Sequence, residues 1–139
     1  MSWEENSATI GRGFVLLVGA AGDDEESSVR RLADKIIDLR VFADAAGKMN
    51  LSLVDVGGAA LIVSQFTLFA DMSRGRRPSL LKAGDPARAE HLYETFVDQF
   101  RGRGIETRTG SFGAVMRVDI ANDGPVTLVL STDEWVTRV

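Results

Sequence analysis

Leu61, Ile62 and Val63 form an unbroken apolar run that passes directly into Ser64, Gln65, Phe66 and Thr67. Such a run suits a strand buried on both faces, because a strand with one wet face would alternate apolar and polar residues. The chain is therefore expected to build a sheet covered on both sides, and this strand carries hydroxyl and amide groups to its end. Side chains alternate along a strand, which puts Gln65 and Thr67 on one face and Ser64 and Phe66 on the other. Taken alone, Ser-Gln-Phe-Thr also fits a buried strand whose hydroxyls bond neighbouring backbone.

The surrounding pattern alternates strands with helices. Phe14 to Val18 reads as a buried strand that exits through Gly19 to Gly22. Asp23 and Asp24 offer an N-cap, and Glu25 and Glu26 complement the positive end of a helix dipole. Val29, Leu32, Ala33, Ile36, Ile37 and Leu39 recur close to helical period, so the spacing predicts a helix to about Leu39. Val41-Phe42 begins a strand, broken by the turn-like Asp44 to Lys48. Leu51 to Val56 and Ala59 to Phe69 flank Gly57-Gly58, the composition of a tight hairpin. A second helix is predicted from about Pro86 to Arg101, with Leu92, Phe96 and Phe100 at spacing four and Ala89, Tyr93 and Val97 beside them. Ile105 to Thr109, Ala114 to Ala121 and Val126 to Leu130 read as three closing strands. Helices inserted between groups of strands predict an α/β domain with the helices on one side of the sheet.

Length and composition narrow the chemistry. The 139 residues fit a single domain spanning 1–139, long enough to bury about two-thirds of the unfolded surface. With no Cys there is neither a disulfide framework nor a thiolate site, and a metal site lacks candidate ligands, so no cofactor is expected. No apolar stretch reaches the ~20 residues of a membrane helix, and the acidic N-terminus has no signal-like core, which reads as cytoplasmic. A net charge of −4 argues against nonspecific coating of nucleic acid. Between Met72 and Lys82, however, Arg74, Arg76, Arg77 and Lys82 stand without an acidic neighbour, a short basic loop suited to phosphates. The single His, His91, falls about 100° around the helix axis from Leu92 and reads as a boundary residue, not a base.

A second motif, Asn122-Asp123-Gly124-Pro125-Val126-Thr127, adds a constraint. Pro125 cannot donate a ladder bond and belongs at the start of the run from Val126 to Leu130. Gly124 permits backbone angles closed to other residues and close approach of a second molecule. Only about 5–6% of X–Pro bonds are cis, so the residues alone favour trans.

In order and spacing, these two motifs resemble the signatures of the D-aminoacyl-tRNA deacylases. The resemblance runs from about Ala8 to Thr132 and takes in Ile10-Gly11-Arg12-Gly13, Leu39-Arg40-Val41-Phe42, Gly47-Lys48-Met49-Asn50-Leu51-Ser52, Gly75-Arg76-Arg77-Pro78-Ser79 and Gly110-Ser111-Phe112-Gly113-Ala114-Val115-Met116. It implies a three-layer α/β/β single-domain fold with mixed, mostly antiparallel sheets and two main helices. It also implies a homodimer in which a cis Gly124-Pro125 reaches into the partner's site. The implied activity is hydrolysis of the ester of D-aminoacyl-tRNA, and of glycyl-tRNA mischarged on tRNA-Ala, with L-amino acids excluded sterically. Ser64, Gln65, Phe66 and Thr67 then carry the catalytic site, and Gly124, Pro125, Phe112, Met116 and Asn122 contact substrate. Arg74, Arg76, Arg77 and Lys82 hold tRNA phosphates.

The chain departs from the family at its start. Members carry a further N-terminal strand with Gln-Arg-Val whose Arg braces the Gly-Pro loop, whereas Met1 to Ser7 holds nothing like it. The alternatives this raises are a weakly active or non-catalytic dimer that binds tRNA ends, and a related deacylase with relaxed chirality. Asp133 to Val139, with Trp135, lies beyond the resemblance.

An aminoacyl ester is activated and needs chiefly positioning and oxyanion stabilisation. Backbone N–H groups around Gln65 to Thr67 are the expected donors. Of the two mechanisms the family implies, Thr67 as nucleophile or activation of water by the substrate's 2′-hydroxyl, the second is favoured because no base for Thr67 is visible.

Overall fold

The computed structural model describes residues 2–3, 6–83 and 85–132. Strands β1 (Ser2–Trp3) and β2 (Asn6–Ser7) pair antiparallel. Strand β3 (Gly13–Val18) leads to helix α1 (Glu26–Asp38), then to the short antiparallel pair β4 (Phe42–Ala43) and β5 (Met49–Leu51). Strand β6 (Ala59–Ser64) ends in a 3₁₀ turn over Phe66–Phe69; helix α2 (Pro86–Gly102) and strand β7 (Thr107–Thr109) follow. The central sheet has the order β3-β6-β7, and both of its pairings are parallel.

Parallel pairing needs crossovers, and α1 and α2 supply them. The two helices pack on each other and, through Ala33, Ile36, Ile37, Phe96 and Phe100, on Ala60 and Ile62 of β6. Ala59, Leu61 and Val63, on the reverse of the same strand, are equally buried. Both helices lie on one face, so non-helical chain covers the other, as the unbroken apolar run requires. The α/β class with two main helices on one side is the fold expected from the sequence, whereas the central sheet is parallel and, among the described residues, antiparallel pairing is confined to the two short ladders and the isolated bridges Ala21–Ala83 and Asp71–Ser79.

Several local expectations are corrected. No hairpin joins the segments around Gly57-Gly58. Ser52 and Asp55 cap each other, the Ser52 N–H donating to Asp55 Oδ2 at 2.9 Å and the Asp55 N–H to Ser52 Oγ at 3.2 Å. That reciprocal pair winds 53–57 into a turn, so β6 is released to pair with β3 and β7. The predicted strand Ala59 to Phe69 stops at Ser64, and the alternation assigned to Gln65 and Thr67 stops with it. Helix α1 begins at Glu26, after the Glu25 cap, because Asp24 instead closes the preceding turn, its Oδ2 accepting from Ala21 N–H at 2.6 Å. For α2 the cap is Asp85, whose side chain accepts from the Arg88 N–H, with Pro86 in the first turn.

The predicted strands Ala114 to Ala121 and Val126 to Leu130 form no ladder among the described residues, where Arg117 alone of these segments is a bridge residue. From 111 to 119 burial still alternates, with Phe112, Ala114, Met116 and Val118 half-buried between exposed neighbours. The side-chain pattern of a strand is present without a backbone partner among the described residues. The tail with Trp135 lies outside the described residues.

Candidate active site

The register of the central sheet collects the polar motif and its neighbours at one edge. Val18 aligns with Ser64, and Ile62 aligns with Thr109, so β3, β6 and β7 all end on the same side. The chain leaving those ends is Gly19 to Asp24, Gln65 to Phe69 and Gly110 to Met116. In open parallel α/β sheets ligands sit outside the carboxyl ends of the strands, and this is that edge.

The turn out of β6 is fixed by β3. The Gln65 N–H donates to the Val18 carbonyl at 2.8 Å, extending the parallel ladder by one bond. The chain then tightens, Leu68 N–H bonding Gln65 O at 3.3 Å and Ala70 N–H bonding Thr67 O at 3.0 Å. Gly19 makes the close approach possible, since a Cβ there would lie 3.0 Å from both the Gln65 carbonyl oxygen and the Phe69 ring. Ser64 and Gln65 are half-buried, while Phe66 and Thr67 are exposed.

This arrangement revises the expected donor set. The Gln65 amide is committed to Val18, and the N–H groups of Phe66 and Thr67, at the start of the 3₁₀ turn, have no partner among the described residues. The Gln65 side-chain amide donates to the Thr67 hydroxyl. Thr67 therefore meets an amide, and no ionisable side chain bonds its hydroxyl among the described residues. His91 makes no hydrogen bond to the turn among the described residues and pairs its Nε2 with the Glu26 carboxylate across α1 and α2, holding that carboxyl below its usual range.

The second motif forms a compact exposed loop. Gly124-Pro125 is cis, Asn122 Oδ1 accepts from Val126 N–H at 3.0 Å, and Asn122 Nδ2 donates to Thr127 Oγ1 at 2.9 Å. Within one chain no hydrogen bond joins this loop to Ser64–Thr67 among the described residues. Phe112 is drawn toward the helices, its ring 6.0 Å from that of Tyr93, and borders a cavity of about 290 Å³ with Tyr93, Val97 and Thr109. Met116 is half-buried on the same alternating face.

The basic residues ride on a loop closed at its base. Asp71 and Ser79 exchange two backbone bonds of 2.8 Å, leaving Arg74, Arg76 and Arg77 on the exposed turn between them. The Asp71 carboxylate accepts from Ser73 Oγ at 2.6 Å and Ser73 N–H at 2.9 Å and pairs with Lys82 at 3.7 Å. These bonds hold its carboxyl below the usual range, the Ser73 side chain contributing most. Lys82 is thus partly neutralised, which the sequence did not reveal, and the three arginines are the freer cations. Sequence reasoning also missed Gly19 and Asp71; Gly19 stood in the strand exit, but its partner across the sheet was not readable.

The fold is a small α/β domain whose parallel sheet carries at its carboxyl end a neutral, amide-rich turn followed by a basic loop. The chain belongs to the D-Tyr-tRNA(Tyr) deacylase family, whose model matches residues 2–131. A protein named "Inactive D-aminoacyl-tRNA deacylase" from Bacillus subtilis is 50% identical over 129 residues, covering 93% of this chain and 98% of that one. A D-aminoacyl-tRNA deacylase from Koribacter versatilis is 52% identical over 126 residues, 91% of this chain and 85% of that one. Among solved structures, the "c-Myc DNA Unwinding Element Binding Protein" superposes with a TM-score of 0.83 at 38% identity, covering 90% of this chain and 85% of that one. No helix among the described residues is long and apolar enough to cross a membrane.

Proposed function

We propose that the chain is a D-aminoacyl-tRNA deacylase that works as a homodimer, releasing free D-amino acid and tRNA and acting also on glycyl-tRNA mischarged on tRNA-Ala. The observation that carries this reading is the turn at Gln65 to Thr67. Among the described residues it offers two backbone donors without a partner beside a hydroxyl and an amide, and no side-chain base bonds them. Such a turn suits an activated ester, which needs an oriented water and a stabilised oxyanion more than a nucleophile. The substrate's 2′-hydroxyl assists the water, Ser64, Gln65 and Phe66 shape the pocket, and Phe112 and Met116 wall the terminal adenosine. Arg74, Arg76, Arg77 and Lys82 hold acceptor-end phosphates.

The Gly124-Pro125 loop enters the partner's site, where its carbonyls accept from the α-amino group and leave no room for an L side chain. Two features support the dimer. Among the described residues the loop makes no hydrogen bond to its own chain's motif, and Val115, Leu128 and Val129 are 93%, 57% and 71% exposed, apolar side chains that a second copy would cover. The working compartment is the cytoplasm, where charged tRNA is found.

A second reading has its own support. The relative matched over 98% of its length is named inactive, and the 111–130 segment lacks a strand partner among the described residues. On that reading the chain binds charged tRNA ends without turnover. Incubating the purified chain with D-tyrosyl-tRNA separates the two: release of D-tyrosine supports the deacylase, and retention of the ester by a tRNA-binding dimer supports the binder.

A further inference from the structure

We propose that Asn122 is a positioning residue that holds the Gly124-Pro125 tip in place and so sets chiral discrimination. The inference rests on the deacylase reading above. Both polar ends of the Asn122 side chain are spent inside the loop, Oδ1 on the Val126 N–H at 3.0 Å and Nδ2 on the Thr127 hydroxyl at 2.9 Å. One side chain thus spans the three residues Asp123, Gly124 and Pro125 and ties the start of the motif to its end.

Nothing else described performs this task. Asp123, Gly124 and Pro125 are exposed, so core packing does not fix them, and Pro125 has no N–H to donate. The tip is folded back tightly. Gly124 has φ +140°, and a Cβ there would come within 2.9 Å of Val126 Cγ2 and 3.1 Å of the Val126 nitrogen. The two atoms that limit the tip therefore belong to the residue whose N–H Asn122 holds.

Steric exclusion works only if the excluding backbone stays in position, because a tip that moves out of the way no longer fills the space an L side chain would need. In this chain the brace is internal to the loop. Asn122 acts through the tip and need not touch substrate.

The test compares the full chain with Asn122→Ala, Thr127→Val and Asn122→Asp. Three readouts apply: the ratio of D-tyrosyl- to L-tyrosyl-tRNA hydrolysis, the solution mass, and the hydrogen-exchange rate of the Val126 amide. Asn122→Ala should lower the D:L ratio at least about tenfold and speed Val126 exchange by a similar factor with the mass unchanged, and Thr127→Val should do so by less. Asn122→Asp keeps an oxygen for the Val126 N–H and accepts from the Thr127 hydroxyl, so it should restore most of the ratio. An unchanged D:L ratio in Asn122→Ala overturns the proposal, whether or not Val126 exchanges faster. If the unmodified chain hydrolyses neither ester, the deacylase reading falls, and unchanged Val126 exchange in Asn122→Ala would then remove the brace as well.

Discussion

The carbonyl oxygen of Gln65 lies 3.0 Å from the point that a Cβ on Gly19 would occupy, so the exit of β3 and the Gln65–Thr67 turn pack closely against a position with no side chain. Replacing Gly19 by Ala must push the Gln65 carbonyl, the Phe69 ring or both by a few tenths of an ångström. Overpacking of this kind costs about 1–3 kcal/mol, and a displaced donor set costs rate. Gly19→Ala should lower the urea midpoint and reduce kcat about tenfold with little change in KM. Gly102→Ala is the control, because nothing lies within 4 Å of a Cβ there.

Tyr93 links α2 to the central strand, its hydroxyl donating to the Ile62 carbonyl at 2.6 Å inside the core. Burial pushes its phenol up to about 12 from 10.0. A raised folded pKa means the neutral form is favoured by folding. That stability is complete below pH 10 and is lost as pH rises through about 12. Tyr93→Phe should cost about 1 kcal/mol at neutral pH by removing the hydrogen bond and should flatten the alkaline fall in stability between those values. Urea titrations from pH 7 to 12 measure both effects.

Arg74, Arg76 and Arg77 project from a loop whose base is fixed by Asp71 and Ser79. Replacing all three by Ala should raise the Kd for tRNA and reduce the slope of log K against log salt by about 2 to 3, with melting temperature unchanged. Filter binding at several salt concentrations reports the slope, and an unaltered slope would place the phosphates elsewhere.

Val115 and Val129 are exposed on chain that has strand-like side-chain alternation or composition but no ladder. In the dimer reading a second copy covers them. The double variant Val115→Asp, Val129→Asp should sediment as a monomer and lose deacylation, because each site borrows the other chain's Gly124-Pro125. A fully active monomer would refute the shared site.

The legible parts of this fold were those that local chemistry decides. Both helices were readable because Ile36, Ile37, Leu92, Phe96 and Phe100 repeat with helical period, and Asp85-Pro86 is a strong start signal. The double burial of β6 was readable from Leu61-Ile62-Val63. What failed was set by partners distant in sequence. Gly57-Gly58 has hairpin composition, yet Ser52 and Asp55 had already committed the preceding residues to a turn. The strand expected to run through Phe69 ends at Ser64 because Val18 captures the Gln65 amide, and neither residue type announces that bond. Segments 114–121 and 126–130 have strand composition without a ladder among the described residues, since composition supplies the side-chain pattern but not the neighbouring backbone. Ser64, Gln65, Phe66 and Thr67 stand out in the sequence as a motif, whereas the approach of Gly19 to Gln65 and the bonds Asn122 makes across its loop depend on neighbours that the sequence does not pair.

The measurement that bears most directly on the central claim is hydrolysis of D-tyrosyl-, L-tyrosyl- and glycyl-tRNA by the purified 139-residue chain, with its solution mass recorded in the same buffer. The account predicts a dimer that cleaves the D and glycyl esters and spares the L ester. A folded dimer that binds all three and cleaves none would contradict it, and would make this chain a reader of tRNA ends.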